Sequence, residues 1–348
     1  MDQGLEAFLH AVPKAELHLH IEGTLEPTML LGLAERHGLS MPWSTIEEIE
    51  AAYRFEDLQS FLDLYYLGAS VLRDAEDFHA LARAYLERCR DQNVVHLEMM
   101  FDPQTHTDRG IAFDVVMEGL LGAVDEARAE WGQSVRLIMC FLRHLDERSA
   151  LETLQRALPF REHIDAVGLD SGERGNPPEK FARAFAAARE QGYALTAHAG
   201  EEGPPAYITG ALDTLGVQRI DHGVRCLEDP ALVERLVAER IPLTVCPQSN
   251  VRLCVYRSMA EHPILEMLER GLSVSVNSDD PAYFGGQLVD NYLALARELD
   301  MSGAQALSLV RGSFGGSLLA PAERAPFLAA VDAAAASHGI VRVGDRAS

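Results

Sequence analysis

The sequence is short of basic residues and has no long apolar run, and each shortage excludes a class of protein. Lysine and arginine number 30 against 53 aspartates and glutamates, giving a formal net charge of −23. Such a chain repels phosphate backbones, and no basic run with interleaved aromatics offsets the charge, so nucleic acid is not an expected partner. No apolar run could cross a bilayer, and residues 1–6 include no basic segment leading into an apolar one. We therefore expect a cytoplasmic protein with no membrane partner.

Cysteine is also scarce, which argues against a disulfide framework or a thiolate metal site. The five cysteines form no CxxC pair; they are Cys89, Cys140, Cys226, Cys246 and Cys254. An odd count in an acidic chain without a secretion signal predicts reduced thiols, and we expect core residues rather than ligands. Hydrophobic residues make up 47% of the chain, enough for a sizeable core, and no Pro/Gly/Ser linker divides it. We predict a single domain over residues 1–348, although this length could also hold two.

Eight short apolar runs rich in Val, Ile and Leu recur along the chain, each followed by a segment with helical periodicity. The runs cover residues 16–21, 94–100, 135–142, 166–169, 194–197, 218–220, 242–245 and 273–276. Amphipathic segments such as 177–190 and 230–239 are long enough for crossover helices, so the strands should be parallel. The α/β pattern fits either a closed (β/α)8 TIM barrel or a doubly wound open sheet, and the count of eight favours the barrel.

The connection between the first two strands is about 70 residues long, too long for a simple crossover. We predict a helical insertion over about 25–92, lying across one mouth of the barrel, where it could cover a small-molecule pocket. After Ala304 the chain is rich in alanine and is expected to be mostly helical.

Two histidines stand two residues apart on the first strand, so His18 and His20 point to the same side. Alone, this pair indicates hydrogen-bonded structure more often than a metal site. His198 at the end of the fifth strand and Asp279 after the eighth strengthen the metal hypothesis, because strand ends of a barrel share one face. Imidazole and carboxylate are common zinc ligands, and four of them plus water would make a five-coordinate ion, which zinc tolerates.

Three further polar residues follow strand ends: Glu201, His222 and Asp280. Each has an ordinary explanation: a solvated loop acid, a loop histidine bonded to the neighbouring Asp221, and a helix N-cap before Pro281. Their joint occurrence at the carboxyl ends of several strands instead indicates a catalytic site.

The motifs that carry these residues closely resemble the adenosine/adenine deaminase family of amidohydrolase-type barrels, over residues 13 to about 284. They are HLHIEG at 18–23, HAGE at 198–201, DHG at 221–223, CPQSN at 246–250 and NSDDP at 277–281. The resemblance implies a small purine substrate and one zinc ion held by His18, His20, His198 and Asp279. It also implies that Glu201 protonates the purine ring, that His222 orients or deprotonates the attacking water, and that Asp280 hydrogen-bonds the purine.

The implied chemistry agrees with these residue types. Zinc lowers the pKa of water from 15.7 to about 7, and a carboxylic acid can protonate the ring nitrogen on which charge develops. Relatives with two metals carry a lysine at the end of the fourth strand, and none stands here, so we expect one zinc per chain. The H-x-E and P-C-x-x-C signature of other zinc deaminases is absent from the sequence.

The substrate is indicated by Glu22, which stands where adenosine-specific members carry an aspartate that reaches the ribose. Segments 101–107 and 168–178 resemble the adenine-specific branch, and the second contributes Asp170 and Gly172 as substrate-binding candidates. The resemblance thus implies hydrolysis of adenine to hypoxanthine and ammonia, in purine salvage.

Two departures from the pattern of the adenine-specific branch leave open which substrate fits the pocket. Gly172 stands where the branch usually has serine, and Met99-Met100 stand where it has a Pro-Phe pair. Adenosine or an N6-substituted adenine therefore remains an alternative substrate. A purine-binding protein without turnover is the non-enzyme alternative, but it should lack a ligand or the acid, and none is missing. The sequence does not indicate the oligomeric state.

Overall fold

Eight parallel strands form the centre of the computed structural model, which describes residues 2–341. They are β1 (Lys14–His20), β2 (Val94–Phe101), β3 (Ser134–Leu142), β4 (Ala166–Asp170), β5 (Ala194–Ala199), β6 (Arg219–His222), β7 (Pro242–Val245) and β8 (Ser273–Val276). Each strand pairs with the next in chain order. The fold is a (β/α)8 TIM barrel, which confirms that prediction and excludes the doubly wound sheet.

The residues that follow β8 close the barrel against β1. Leu17 N donates to Asn277 Oδ1 at 2.8 Å, and His20 N donates to the backbone carbonyl of Asp279 at 3.0 Å. Asp279 has a left-handed backbone, with φ of 67°. Because the same short segment closes the barrel and carries Asp279, that side chain is fixed beside the two histidines of β1.

Helices surround the barrel. They are α1 (Gln3–Ala11), α2 (Pro27–Arg36), α3 (Ile46–Ala52), α4 (Leu58–Ala69), α5 (Ala75–Asp91), α6 (Pro103–Thr107), α7 (Phe113–Trp131), α8 (Glu147–Ala157), α9 (Ala182–Glu190), α10 (Pro205–Gly210), α11 (Pro230–Glu239), α12 (Pro247–Arg252), α13 (Ile264–Glu269), α14 (Pro281–Phe284), α15 (Leu288–Glu298), α16 (Gly303–Gly316) and α17 (Pro321–Ser337). The strands are buried almost throughout, as expected for a parallel sheet covered by helices. Helices α16 and α17 confirm that the segment after Ala304, as far as residue 341, is mostly helical.

The segment predicted as an insertion, 25–92, is helical and contains α2 to α5. Its last helix, α5, packs beside α7 and therefore serves as the crossover helix before β2. Helices α2 to α4 are thus the part that exceeds an ordinary β1–β2 crossover. Helix α4 starts at a capping box in which Asp57 Oδ1 accepts from Ser60 N at 2.9 Å, and its apolar face lies over the carboxyl ends of the strands. The extent of the domain, 1–348, stays a prediction.

Among residues 2–341, no helix combines the length and the apolar character that a membrane crossing needs. All five cysteines are free thiols, and Cys254 is the exposed one.

Candidate active site

A cavity lies between the carboxyl ends of the strands and the apolar face of α4, and we call it the inner cavity. Its lining residues are His20, Leu58, Phe61, Leu62, Tyr65, Tyr66, Asp102, Asp170, Ser171, His198, Glu201, His222, Leu253, Asp279 and Asp280. One side is polar and formed by strand ends, and the other is apolar and aromatic. This combination suits a flat heteroaromatic ligand held by a few convergent polar groups.

Four of the predicted site residues bring ligand atoms together at the polar side. His20 Nε2 lies 3.1 Å from His198 Nε2, and Asp279 Oδ1 lies 3.1 Å from His18 Nε2 and 3.5 Å from His20 Nε2. All four side chains are buried, with His18 fully enclosed. The four residues that the sequence suggests as metal ligands thus lie together, although they come from three distant parts of the chain. Their role as ligands stays a prediction.

These separations fit a single metal ion. Zinc ligands lie roughly 2.0–2.2 Å from the ion, so two ligand atoms around one zinc are roughly 2.8–3.6 Å apart for angles between 90° and the tetrahedral value. The three measured separations fall in that range. Three imidazoles and one carboxylate are also a donor set that zinc prefers. The cluster is thus a candidate metal-binding site whose geometry and chemistry both suit the ion.

The tautomer of His18 follows from its hydrogen bonds. Thr244 Oγ1 donates its proton to Asp221 Oδ1 at 2.8 Å. The Thr244 oxygen can therefore only accept a hydrogen bond from His18 Nδ1, which lies 3.0 Å away. His18 Nδ1 must then carry the proton, which leaves Nε2 free to bind a metal. Asp221 in turn accepts from Arg219 Nε at 3.3 Å, and all of these groups are buried.

Glu201 and His222 lie next to this cluster. His222 Nε2 is 3.7 Å from Glu201 Oε2 and 3.8 Å from Asp279 Oδ2. Burial and the neighbouring Asp279 carboxylate raise the pKa of Glu201 well above its ordinary value. Burial lowers the pKa of His222 to about 3. The site therefore combines a carboxyl group that holds its proton to a higher pH than an ordinary carboxyl group with an imidazole that is neutral near pH 7.

Asp280 and Asp170 both line the inner cavity, as expected for substrate-binding residues. Asp280 precedes α14 but its side chain makes no capping hydrogen bond, so the N-cap explanation does not apply. Burial and Asp279 raise the pKa of Asp280. Asp170 Oδ2 is 3.5 Å from His20 Nδ1, on the side of the ring opposite the metal cluster. Asp170 thus faces both His20 and the inner cavity.

Glu22 and Gly172 do not line the inner cavity. Glu22 is 1% exposed, and its Oε1 accepts from Asp102 N at 3.2 Å and from His106 Nε2 at 2.7 Å. It lies in the wall behind Asp102, which does line the cavity. Gly172 lines an adjoining outer chamber, of about 320 Å³, together with residues such as Arg174. The substrate roles of Glu22 and Gly172 stay predictions.

Sequence reasoning missed several residues of the site. Asp102 and Tyr65 line the cavity, and Tyr65 Oη donates to Asp102 Oδ2 at 3.0 Å. Cys246 lies within ligand distance of His18 and Asp279, although we expected the cysteines to be core residues rather than ligands. Asp102 belongs to segment 101–107 and Cys246 opens the motif CPQSN at 246–250, so either pattern could have singled them out, whereas Tyr65 lacked a distinguishing pattern.

Comparison with known proteins extends over nearly the whole chain. A family model described as adenosine deaminase matches residues 13–334. An adenine deaminase from Hahella chejuensis is 56% identical over 334 residues, covering 96% of this chain and 100% of that protein. An adenine deaminase from Pseudomonas putida (strain GB-1) is 56% identical over 312 residues, covering 90% of this chain and 99% of that one.

Two solved structures are similar in fold and in length. The crystal structure of an adenine deaminase from Arthrobacter aurescens has a TM-score of 0.91 and 50% identity, covering 93% of this chain and 99% of that one. An amidohydrolase from Burkholderia ambifaria, solved with bound Zn, has a TM-score of 0.88 and 25% identity, covering 97% of this chain and 96% of that one. The sequence, the fold and the site geometry are thus similar to the same group of proteins.

Proposed function

Because this chain belongs to the adenosine deaminase family, we propose that it hydrolyses adenine to hypoxanthine and ammonia, as part of purine salvage. The observation that carries the proposal is the convergence of three histidines and Asp279 beside a buried Glu201 with a raised pKa. The near full-length likeness to proteins named adenine deaminase supports adenine as the substrate.

We propose one zinc ion per chain, held by His18, His20, His198 and Asp279. The separations of their ligand atoms support this ion, as does the bound Zn of the Burkholderia relative. When bound, zinc supplies the Lewis acidity that makes water nucleophilic near neutral pH.

The protein's own groups would then handle the protons. His222, a neutral imidazole at working pH, accepts a proton as water adds to C6 of adenine. Glu201 donates its proton to the adjacent ring nitrogen, on which negative charge would otherwise build up. The 6-amino group then takes up the proton held by His222 and leaves as ammonia, and the proton of the added hydroxyl returns to Glu201 as the carbonyl of hypoxanthine forms. Asp280 lies in the same cavity and would hydrogen-bond the purine ring and hold C6 in place.

The wall of the inner cavity supports a free base as substrate. Helix α4 covers the cavity with Leu58, Phe61 and Leu62, which could stack against a flat ring. Glu22 would act on selectivity indirectly, since its carboxylate holds the backbone of Asp102 in the cavity wall. A ribose on the base would have to displace the buried contact between Glu22 and the backbone of Asp102, a misfit of a few kcal/mol.

Replacing Thr244 tests the proposed orientation of His18. Thr244→Val removes the hydroxyl that fixes the His18 tautomer while keeping the side-chain shape, so zinc affinity should fall by about 10–100-fold. Thr244→Ser keeps the hydroxyl and is the matched control. The zinc dissociation constants of both variants can be measured by competition with a chelator. Equal affinities in the two would contradict this role of Thr244.

A cytoplasmic location, with a small purine as the binding partner, completes the proposal. The five free cysteines are compatible with a reducing compartment.

The reaction itself is tested by product balance with the purified protein. Adenine should give hypoxanthine and ammonia in equal amounts, and removal of zinc with a chelator should stop both until zinc is restored. Elemental analysis should find one zinc per chain. No ammonia from adenine in the zinc-loaded protein, or two tightly bound metals, would contradict the proposal.

A further inference from the structure

The loop after β5 wraps around the carboxylate of Glu173, a residue that follows β4. Glu173 Oε1 accepts from Gly200 N at 2.6 Å, and Oε2 accepts from Glu201 N at 3.1 Å, Glu202 N at 2.9 Å and Gly203 N at 2.7 Å. Glu173 is 1% exposed. Four consecutive backbone N–H groups therefore converge on one buried carboxylate that comes from a different βα connection.

Two glycines make this arrangement possible. Gly200 has φ of 72°, a left-handed conformation that few other residues adopt readily. A Cβ on Gly203 would lie 2.5 Å from Glu173 Oε1, closer than real contacts allow. The loop that follows His198 is thus shaped to admit the Glu173 side chain.

We propose that Glu173 is a positioning residue for catalysis, which sets the place of Glu201 by binding the backbone of its loop. This inference rests on the proposed function, in which Glu201 donates the proton. Hydrogen bonds from N–H groups to a carboxylate are about twice as strong as neutral ones, so these four bonds hold the loop after β5 in one position. Proton transfer in turn needs the Glu201 carboxyl within hydrogen-bond reach of the ring nitrogen.

Only an acceptor with two oxygens satisfies all four N–H groups. Glutamine has nearly the same shape, but its NH2 group would face either one or three backbone donors and leave them unpaired. Aspartate keeps both oxygens on a chain shorter by one methylene. The pair Glu173→Gln and Glu173→Asp thus separates the need for a carboxylate from the need for an exact length.

The test is a double-mutant cycle between Glu173→Gln and Glu201→Gln. In the otherwise natural protein, we expect Glu173→Gln to lower kcat by about 10²-fold with little change in KM and with zinc retained. The kcat of Glu173→Asp should be at least about tenfold higher than that of Glu173→Gln. Combined with Glu201→Gln, the Glu173→Gln change should lower kcat by no more than about threefold further, because residues that act as one unit are not additive.

A second variant covers the case in which Glu173→Gln does not fold. Gly203→Ala disturbs the same contact from the loop side and keeps the carboxylate, so it should show the same loss of kcat and the same lack of additivity with Glu201→Gln. Near-natural turnover in the variants that fold, or losses that multiply in the Glu201→Gln background, would overturn the inference. If Glu201→Gln itself turned over adenine normally, the proposed role of Glu201 would fail instead.

Discussion

Glu201→Gln is expected to lower kcat for adenine by at least about 10²-fold while zinc content and KM stay close to those of the natural protein. The amide has nearly the shape of the carboxyl group but cannot supply its proton. The raised pKa of Glu201 supports this role, since the group holds its proton at a higher pH than an ordinary carboxyl would. Steady-state kinetics and elemental analysis of the purified variant measure the effect.

The neighbouring acid provides the matched control. Glu202 lies next in the chain, but its side chain faces Arg174 at 3.7 Å and lines the outer chamber. Glu202→Gln changes charge and shape in the same way as Glu201→Gln, and we expect turnover within about threefold of the natural protein. Equal losses in the two variants would mean that the loss reflects a general disturbance of the loop rather than a missing proton donor.

Removal of a metal ligand should have the largest effect. His18→Ala and Asp279→Ala each delete one of the four converging donors, so zinc should be lost or bound far more weakly, and turnover should fall by at least about 10³-fold. Elemental analysis after dialysis, together with kinetics, measures both. Stoichiometric zinc in both variants would contradict the ligand assignment.

Cys246 provides a control for this assignment. Its thiol lies within ligand distance of His18, His222 and Asp279, so the residues could form a different set around the ion. Burial and Asp279 raise the pKa of the Cys246 thiol, which disfavours the thiolate that binds metal. We therefore expect Cys246→Ala to keep one zinc per chain.

The barrel and the convergence of the candidate metal ligands could be predicted because they depend on regular geometry. Residues two apart on a strand share a face, and the carboxyl ends of parallel strands meet at one mouth of a barrel. These two rules bring His18, His20 and His198 together. Asp279 follows β8 directly, and the backbone contact that closes the barrel fixes it beside them.

The residues whose positions the sequence did not predict lie beyond the ends of the strands, where the regular alternation of strand side chains no longer applies. Glu22 begins a 3₁₀ turn after β1, so the alternation of the strand no longer sets its direction, and it points to His106 rather than into the cavity. Gly172 lies in the loop after β4, beyond the strand, and its neighbours include Gln59 and Leu62 of the distant helix α4. The same holds for Glu173, whose partners lie about 28 residues further along the chain. Side-chain direction in loops depends on such long-range contacts, which local sequence does not reveal.

The specificity constants for adenine and adenosine, measured side by side on the zinc-loaded protein, test the central claim most directly. We predict that kcat/KM for adenine exceeds that for adenosine by at least about 10²-fold, because a ribose would have to displace the buried polar contacts of the cavity wall. 2'-Deoxyadenosine and N6-methyladenine belong in the same series, since they report separately on the ribose and on the amino group. Equal specificity constants for adenine and adenosine would contradict the account of a pocket built for the free base.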